Sequence, residues 1–277
     1  MFSKLIYRLW RYYKLVKDPY TLDIHATEHC NLNCMSCVHY SPLAEPSFID
    51  LKKLETIMNK MKSCHAQRLF REVHVLGGEP LLHPDITSVL QIIRTCFTMK
   101  HTQVKLLTNG LLLNKMPNSF WEVCKKYDIE INITIYSIPV DYTQYVNLCK
   151  NHGVRVDIYG DHAEVPFGQY RLNPGLEGAK GMRKKYYDCS SHNWMQLDGD
   201  RLYLCPQSAY VRHLNKAMGF NFKHRKGDYL QIDKLNRLSF WIFRFKPKPF
   251  CEYCVMPYPL IKWQMSKRKV EEWVVEP

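Results

Sequence analysis

From Thr21 to about residue 160, short β-rich runs alternate with helical stretches, and this beat constrains the fold more than any other feature of the chain. The runs read TLDIHA, REVHVL, VKLLT, INITIY and VRVDIY. Helices are expected around residues 50–64, from Asp85 through DITSVLQIIRTCF, and around Tyr142–Asn151. Strands that alternate with helices pair in parallel through right-handed crossovers, which predicts an α/β sheet or an open barrel. Five such strands are too few for a closed eight-stranded barrel.

After about residue 186 the pattern changes. WMQLDGDRLYLC reads as a hairpin joined across Asp198-Gly199, and irregular, aromatic, basic and Pro-rich sequence follows it. The expected division is an N-terminal segment at 1–19, a main domain at 20–185, a smaller module at 186–260 and a polar tail at 261–277. In the first segment Phe2, Leu5, Ile6, Leu9, Tyr13 and Val16 fall on one helical face and Lys4, Arg8, Arg11 and Lys14 on the other. Such a basic amphipathic helix suits an anionic membrane surface or the open edge of a domain.

The 39 Lys and Arg against 26 Asp and Glu leave a net charge of +13, which favours an anionic partner. No apolar run approaches the roughly 18 residues of a membrane span, and the N-terminus lacks a signal peptide's apolar core and cleavage site. A cytoplasmic protein is expected, with residues 1–19 as its means of touching the inner membrane surface. In a reducing compartment its eleven cysteines are metal ligands or core residues before they are disulfides.

Three of them stand in Cys30-Asn-Leu-Asn-Cys34-Met-Ser-Cys37, just after the first expected strand. Three thiolates on a loop that must curl to bring them together suit one soft metal centre. Zinc would want a fourth ligand such as His29, His39 or a distant cysteine, whereas a cubane cluster with three protein ligands leaves one iron open. Leu76-Gly77-Gly78-Glu79-Pro80 ends the second strand, where two glycines permit close backbone approach and a carboxylate can hold an ammonium group.

CNLNCMSC followed by GGEP resembles the radical S-adenosylmethionine (SAM) superfamily, whose members carry Cx3Cx2C after the first strand. The resemblance covers about residues 20–185 and implies a partial (β/α)6 TIM-like barrel with a small C-terminal iron–sulfur module. It assigns Cys30, Cys34 and Cys37 to a 4Fe-4S cluster whose open iron chelates SAM, and Gly77, Gly78, Glu79 and Pro80 to the SAM ammonium. By the same resemblance Asn109, after Thr108, and Thr134 face the SAM ribose, and backbone near Ile158 contacts adenine. Ser36 departs from the pattern, since many members have an aromatic residue there, and this bears on how the cluster is shielded.

Cys189, Cys205, Cys251 and Cys254 form a second constellation, two thiols flanking the hairpin and a downstream CxxC. Such a set holds zinc or a second cluster. Within a radical SAM chain it resembles the Twitch module, the short form of the SPASM extension, with one auxiliary 4Fe-4S cluster. Cys64, Cys96, Cys124 and Cys149 stand singly in helix-like sequence and are expected in the core. His25, His39, Tyr136, His162 and His192 are candidates for a substrate pocket, and Arg171 for gripping an anionic or hydroxylated substrate.

These parts imply an oxidoreductase that generates a 5′-deoxyadenosyl radical and abstracts hydrogen from its substrate. A chain of this length with one auxiliary cluster resembles aminocyclitol dehydrogenases, and CNLNCMSCVHYSPLA is similar to radical SAM proteins of surface polysaccharide synthesis. The expected substrate is a sugar, an aminocyclitol or a nucleotide- or lipid-linked sugar, oxidised by two electrons with the auxiliary cluster as acceptor. Redox-neutral epimerisation and peptide side-chain modification are the alternatives. A flavodoxin- or ferredoxin-type protein is the expected electron donor, and no nucleic-acid partner is expected.

Overall fold

The computed structural model describes residues 20–160, 167–176, 181–191, 194–244 and 247–275. The amphipathic segment at 1–19, His162 and His192 lie outside the described residues.

The first half runs β1 (Tyr20–Thr27), α1 (Leu51–Ser63), β2 (Phe70–Gly77), α2 (Ile86–Cys96), β3 (Gln103–Thr108), α3 (Asn118–Lys126), β4 (Ile129–Thr134), α4 (Thr143–Asn151) and β5 (Val156–Tyr159). Then come β6 (Phe167–Gly168), α5 (Met182–Asp188), β7 (Trp194–Asp198), β8 (Arg201–Tyr203), α6 (Pro206–Met218), β9 (Tyr229–Gln231), α7 (Leu238–Arg244) and β10 (Leu260–Ile261). The main sheet has the order β5-β4-β3-β2-β1-β7-β8-β9. Its strands from β5 to β7 are parallel, which gives the six-stranded open α/β architecture.

The sixth parallel strand is not where the expected boundary at 185/186 puts it. β7 belongs to the hairpin of the second module, yet it pairs with β1 from Thr21–Trp194 to Ile24–Leu197, on the edge opposite β5. The hairpin turns at Gly199, whose φ of 59° favours glycine, and brings Asp198 opposite Arg201. Module and barrel therefore share one continuous sheet.

Local signals explain the helices. Asp50 caps α1 by accepting from the Lys53 amide at 2.7 Å, and Asp85 caps α2 by accepting from the Ser88 amide at 3.0 Å. Leu54, Ile57, Met58 and Met61 of α1 and Ile86, Val89, Leu90 and Ile93 of α2 form buried stripes at helical spacing. They share a core with Leu22, Ile24, Val73, Val75, Val104, Leu106, Ile131 and Ile133 of the strands. The alternate strand positions carry polar groups. His74 meets Asp23 at 3.1 Å and Glu72 at 3.1 Å, and Lys105 meets Glu72 at 3.2 Å. A parallel sheet covered on both faces would read as continuous apolar runs, so this alternation reflects one apolar and one polar face.

A second core contains Tyr40, Leu172, Tyr210, Phe250, Tyr253 and Trp273. It joins the stretch after the cysteine triplet to the module and to the C-terminal segment. Helix α6, absent from the sequence expectation, starts with Cys205 as its cap and Pro206 in its first turn and stops at Gly219, with φ 72°. No helix among the described residues is long and apolar enough to cross a membrane.

Candidate active site

The parallel strands deliver their carboxyl ends to one rim of the sheet, and a cavity of about 160 Å³ opens there. Cys30, Cys34 and Cys37 line it from the loop after β1, and Gly77, Gly78 and Glu79 from the end of β2. Thr108 and Asn109 after β3 and Thr134 and Tyr136 after β4 complete it. Eight of the residues expected to touch cluster or SAM, and Tyr136, are thus brought together.

Glu79 is buried at 1% exposure and held from three sides. It accepts from Thr108 Oγ at 2.6 Å, the Asn109 amide at 2.8 Å and the Leu81 amide at 3.0 Å. Burial raises its carboxyl to about 7 in spite of these bonds. A cation arriving in the cavity would satisfy the charge that burial penalises. Pro80 is buried and opens the 3-10 turn that supplies the Leu81 amide, so it shapes the cradle without lining the cavity.

Besides lining the cavity, the two glycines make a contact that the sequence does not show. A Cβ on Gly77 would sit 2.1 Å from the Thr27 carbonyl oxygen, and one on Gly78 would sit 2.0 Å from that of His29. The Gly78 amide donates to Thr27 O at 2.9 Å and the Glu79 amide to His29 O at 3.0 Å. The glycines let the end of β2 press against the root of the cysteine loop, and so place carboxylate and thiols in one cavity.

Burial raises all three thiols, Cys34 to about 12, and their mutual proximity raises Cys30 and Cys34 further. Three such groups become anionic together only when a cation compensates them, which is what a metal cluster supplies. The donor set fits a cluster of the 4Fe-4S type. Asn109 ties this loop to β3, its side-chain amide donating to Asn31 Oδ1 at 2.6 Å and approaching Cys30 Sγ at 3.8 Å.

His39 also lines the cavity. His25 lies behind it, with ring centroids 4.7 Å apart, and stacks on Tyr210 at 3.9 Å. Ile158 stands on the edge strand β5, 43% exposed, and is not among the residues lining the cavity.

The four module cysteines also converge. Cys189, Cys205, Cys251 and Cys254 line one cavity between α5, the start of α6 and the segment after α7. Burial raises each of these thiols, Cys251 to about 12, and Cys205, Cys251 and Cys254 are raised further by neighbouring thiols. No three His, Cys, Asp or Glu among the described residues meet closely enough to hold a single metal ion. Arg171, expected in the substrate pocket, lines this second cavity instead, together with Lys185, and its Nε finds no partner among the described residues. Cys96, Cys124 and Cys149 are buried in the main core and Cys64 packs against it, as their isolated positions suggested.

The comparisons agree with this geometry. Residues 24–157 match the family model described as the radical SAM superfamily. An open parallel α/β sheet, a three-cysteine loop after its first strand and that match together place residues 24–157 in the radical SAM superfamily. A GTP 3′,8-cyclase of Microcystis aeruginosa is 32% identical over 124 residues, which is 43% of this chain and 35% of the relative. A GTP 3′,8-cyclase of Vibrio vulnificus is 28% identical over 160 residues, 56% of this chain and 45% of the relative. The chain thus spans about a third to a half of the length of these curated relatives. Among solved structures, BtrN in complex with AdoMet and 2-DOIA superposes with a TM-score of 0.53 over 85% of this chain and 92% of that one, at 12% identity. That likeness is one of fold.

Proposed function

We propose that this chain is a radical SAM oxidoreductase that oxidises a hydroxylated ring substrate, a sugar, an aminocyclitol or a nucleotide- or lipid-linked sugar. The observation that carries the oxidative reading is the convergence of Cys189, Cys205, Cys251 and Cys254 on one cavity. Four thiolates complete the ligand set of a 4Fe-4S cluster. This is the arrangement expected of a Twitch-like module.

A cluster bound by the first three thiols would supply, with SAM, radical chemistry for hydrogen abstraction, and one bound by the four module thiols would supply an electron acceptor. The protein's part is to bind, orient and exclude water. Cys30, Cys34 and Cys37 hold the first cluster, while Glu79, fixed by Thr108 and Asn109, receives the SAM ammonium. Thr134 and Asn109 offer polar groups at the same rim. Burial holds the Tyr136 phenol protonated, so it presents a hydrogen-bond donor and no competing anion. At the second cavity Lys185 and Arg171 place positive charge beside the thiolates. The net charge of +13 suits an anionic substrate and an acidic flavodoxin- or ferredoxin-type donor.

The relatives named GTP 3′,8-cyclase favour a second reading, in which the substrate is a purine nucleoside triphosphate. One experiment separates the readings. The chain, loaded with iron and sulfide under anaerobic conditions and reduced, is incubated with SAM and either GTP or a panel of nucleotide sugars and aminocyclitols. Formation of 5′-deoxyadenosine and methionine tests the radical chemistry, and oxidised sugar against cyclised nucleotide tests the substrate class. A loaded protein that cleaves no SAM overturns both.

A further inference from the structure

The segment after β10 contains no cysteine and reads as a polar tail, yet five hydrogen bonds fasten it to the cysteine loop. The Met35 amide donates to Gln264 O at 2.9 Å and the Ser266 amide to Asn33 O at 2.6 Å. Asn33 Nδ2 donates to Ser266 O at 2.8 Å, Ser36 Oγ to Glu272 O at 2.6 Å and Trp273 Nε1 to Cys37 O at 3.0 Å. Ser36 occupies the left-handed region at φ 57°, a conformation that a side chain other than glycine adopts at some cost and that here aims the hydroxyl at the tail.

The tail is itself well anchored. Trp273 is fully buried in the second core, and Leu172 pairs with it, its amide donating to Trp273 O and its carbonyl accepting from the Val275 amide, both at 2.8 Å. Buried Glu272 locks the turn by accepting from Ser266 Oγ at 2.6 Å and the Lys267 amide at 2.7 Å. Cys34 pairs with Met265 in an antiparallel bridge, and two positions earlier Trp263 lies 5.8 Å from the Tyr136 ring. The Trp263 indole nitrogen is buried and has no hydrogen-bond partner among the described residues, two positions from the residue that bridges to Cys34.

We propose that residues 263–274 form a strap that holds the Cys30–Cys37 loop in ligating geometry, and that Trp263 is a positioning residue whose indole N–H donates to the Cys34 sulfur once that sulfur is a metal ligand. The inference rests on the radical SAM reading of the loop. A donor aimed at a ligating thiolate withdraws charge from the sulfur and raises the potential of the cluster. A loop already fixed by five bonds does not pay its ordering entropy when the metal binds. The tail that follows the auxiliary cysteines therefore becomes part of the first metal site.

The test uses the full chain loaded with iron and sulfide anaerobically. Trp263→Phe keeps the ring and deletes the donor. Its first cluster, identified by the electron paramagnetic resonance signal that changes on adding SAM, should titrate at a lower midpoint potential with wild-type iron content. Ser36→Ala deletes one strap bond and leaves the packing, and iron loss to a chelator should run about fivefold faster, as one buried hydrogen bond predicts. A Trp263→Phe protein with the wild-type midpoint overturns the indole's role, and a Ser36→Ala protein with the wild-type release rate overturns the strap. If iron content in the wild-type background is unchanged by replacing Cys30, Cys34 and Cys37 with alanine, the radical SAM reading itself falls, a result distinct from either.

Discussion

The Thr108 hydroxyl, at the end of β3, donates to Glu79 Oε1 at 2.6 Å and so fixes a carboxylate that belongs to the end of β2. Neither residue can do this alone, because a carboxylate at a strand end needs a rigid partner across the strand gap to hold its position. Glu79→Gln replaces a charge-assisted contact with a neutral one, worth roughly 1.5–3 kcal/mol. SAM binding to the iron-loaded chain, measured by equilibrium dialysis, should weaken about ten- to a hundredfold. Unchanged affinity would limit Glu79 to shaping the turn.

The same carboxylate predicts a pH dependence. Burial raises Glu79 to about 7, and an ammonium partner binds only its anion. SAM affinity should therefore rise as pH increases through 7 and fall by up to about tenfold per unit below it. In Glu79→Gln that slope should vanish, and a slope that survives the substitution would assign the titration to another group.

Adding one methyl group tests how β2 meets the cysteine loop. In Gly78→Ala the new carbon would lie 2.0 Å from the His29 carbonyl oxygen, a backbone atom that cannot rotate away. Chemical denaturation should show a loss of about 3 kcal/mol, the upper end of the usual range for overpacking, and iron content at the first site should fall with it. A variant with wild-type stability and iron would mean that the loop moves freely there.

What the sequence made legible was local. Cx3Cx2C and GGEP each lie within eight residues, and the strand ends that carry them needed only the α/β beat to be placed on one rim. The edge taken by β7 was not legible, because an apolar run does not say which neighbour it pairs with, and Thr21–Ile24 and Trp194–Leu197 are far apart in the chain. Helix α6 carried a readable signal, Pro206 at its start and Gly219 at its end, hidden among aromatic and basic residues. The place of Arg171 was not legible for a related reason: it sits between two modules, and only the fold shows that it lines the cavity of the auxiliary thiols. Ser36, singled out for its bearing on cluster shielding, anchors the tail through a contact separated by 236 positions.

The polar face of the sheet has its own pH signature. Burial works against the charge on His74, but hydrogen bonds to Asp23 and Glu72 outweigh it and raise the ring to about 9. The folded value lies above the ordinary one of about 6.5, so the pair's stabilisation is fully present below pH 6.5 and is lost as pH rises toward 9. Denaturant unfolding of the wild type should show stability falling over that window by about 1–3 kcal/mol. In His74→Gln the stability at pH 6 should be lower and that fall should disappear, whereas an unaltered pH profile would place the titration elsewhere.

The auxiliary site decides the reaction class. Anaerobic loading should give about eight irons per chain, four in each cluster, and replacing Cys251 and Cys254 together with alanine should leave about four. If the second centre accepts the substrate's electron, this variant should still cleave SAM, uncoupled, and make no oxidised product. Folding must be checked by circular dichroism, because a metal-stapled module can unfold when its ligands are removed. The shared sheet bears on that risk: β7 pairs with β1 over four residues and Trp273 is buried beneath the cysteine loop, so the module is held by the barrel as well as by its metal. A folded variant with four irons and normal product would remove the electron-acceptor role and leave redox-neutral chemistry, such as epimerisation, as the reaction.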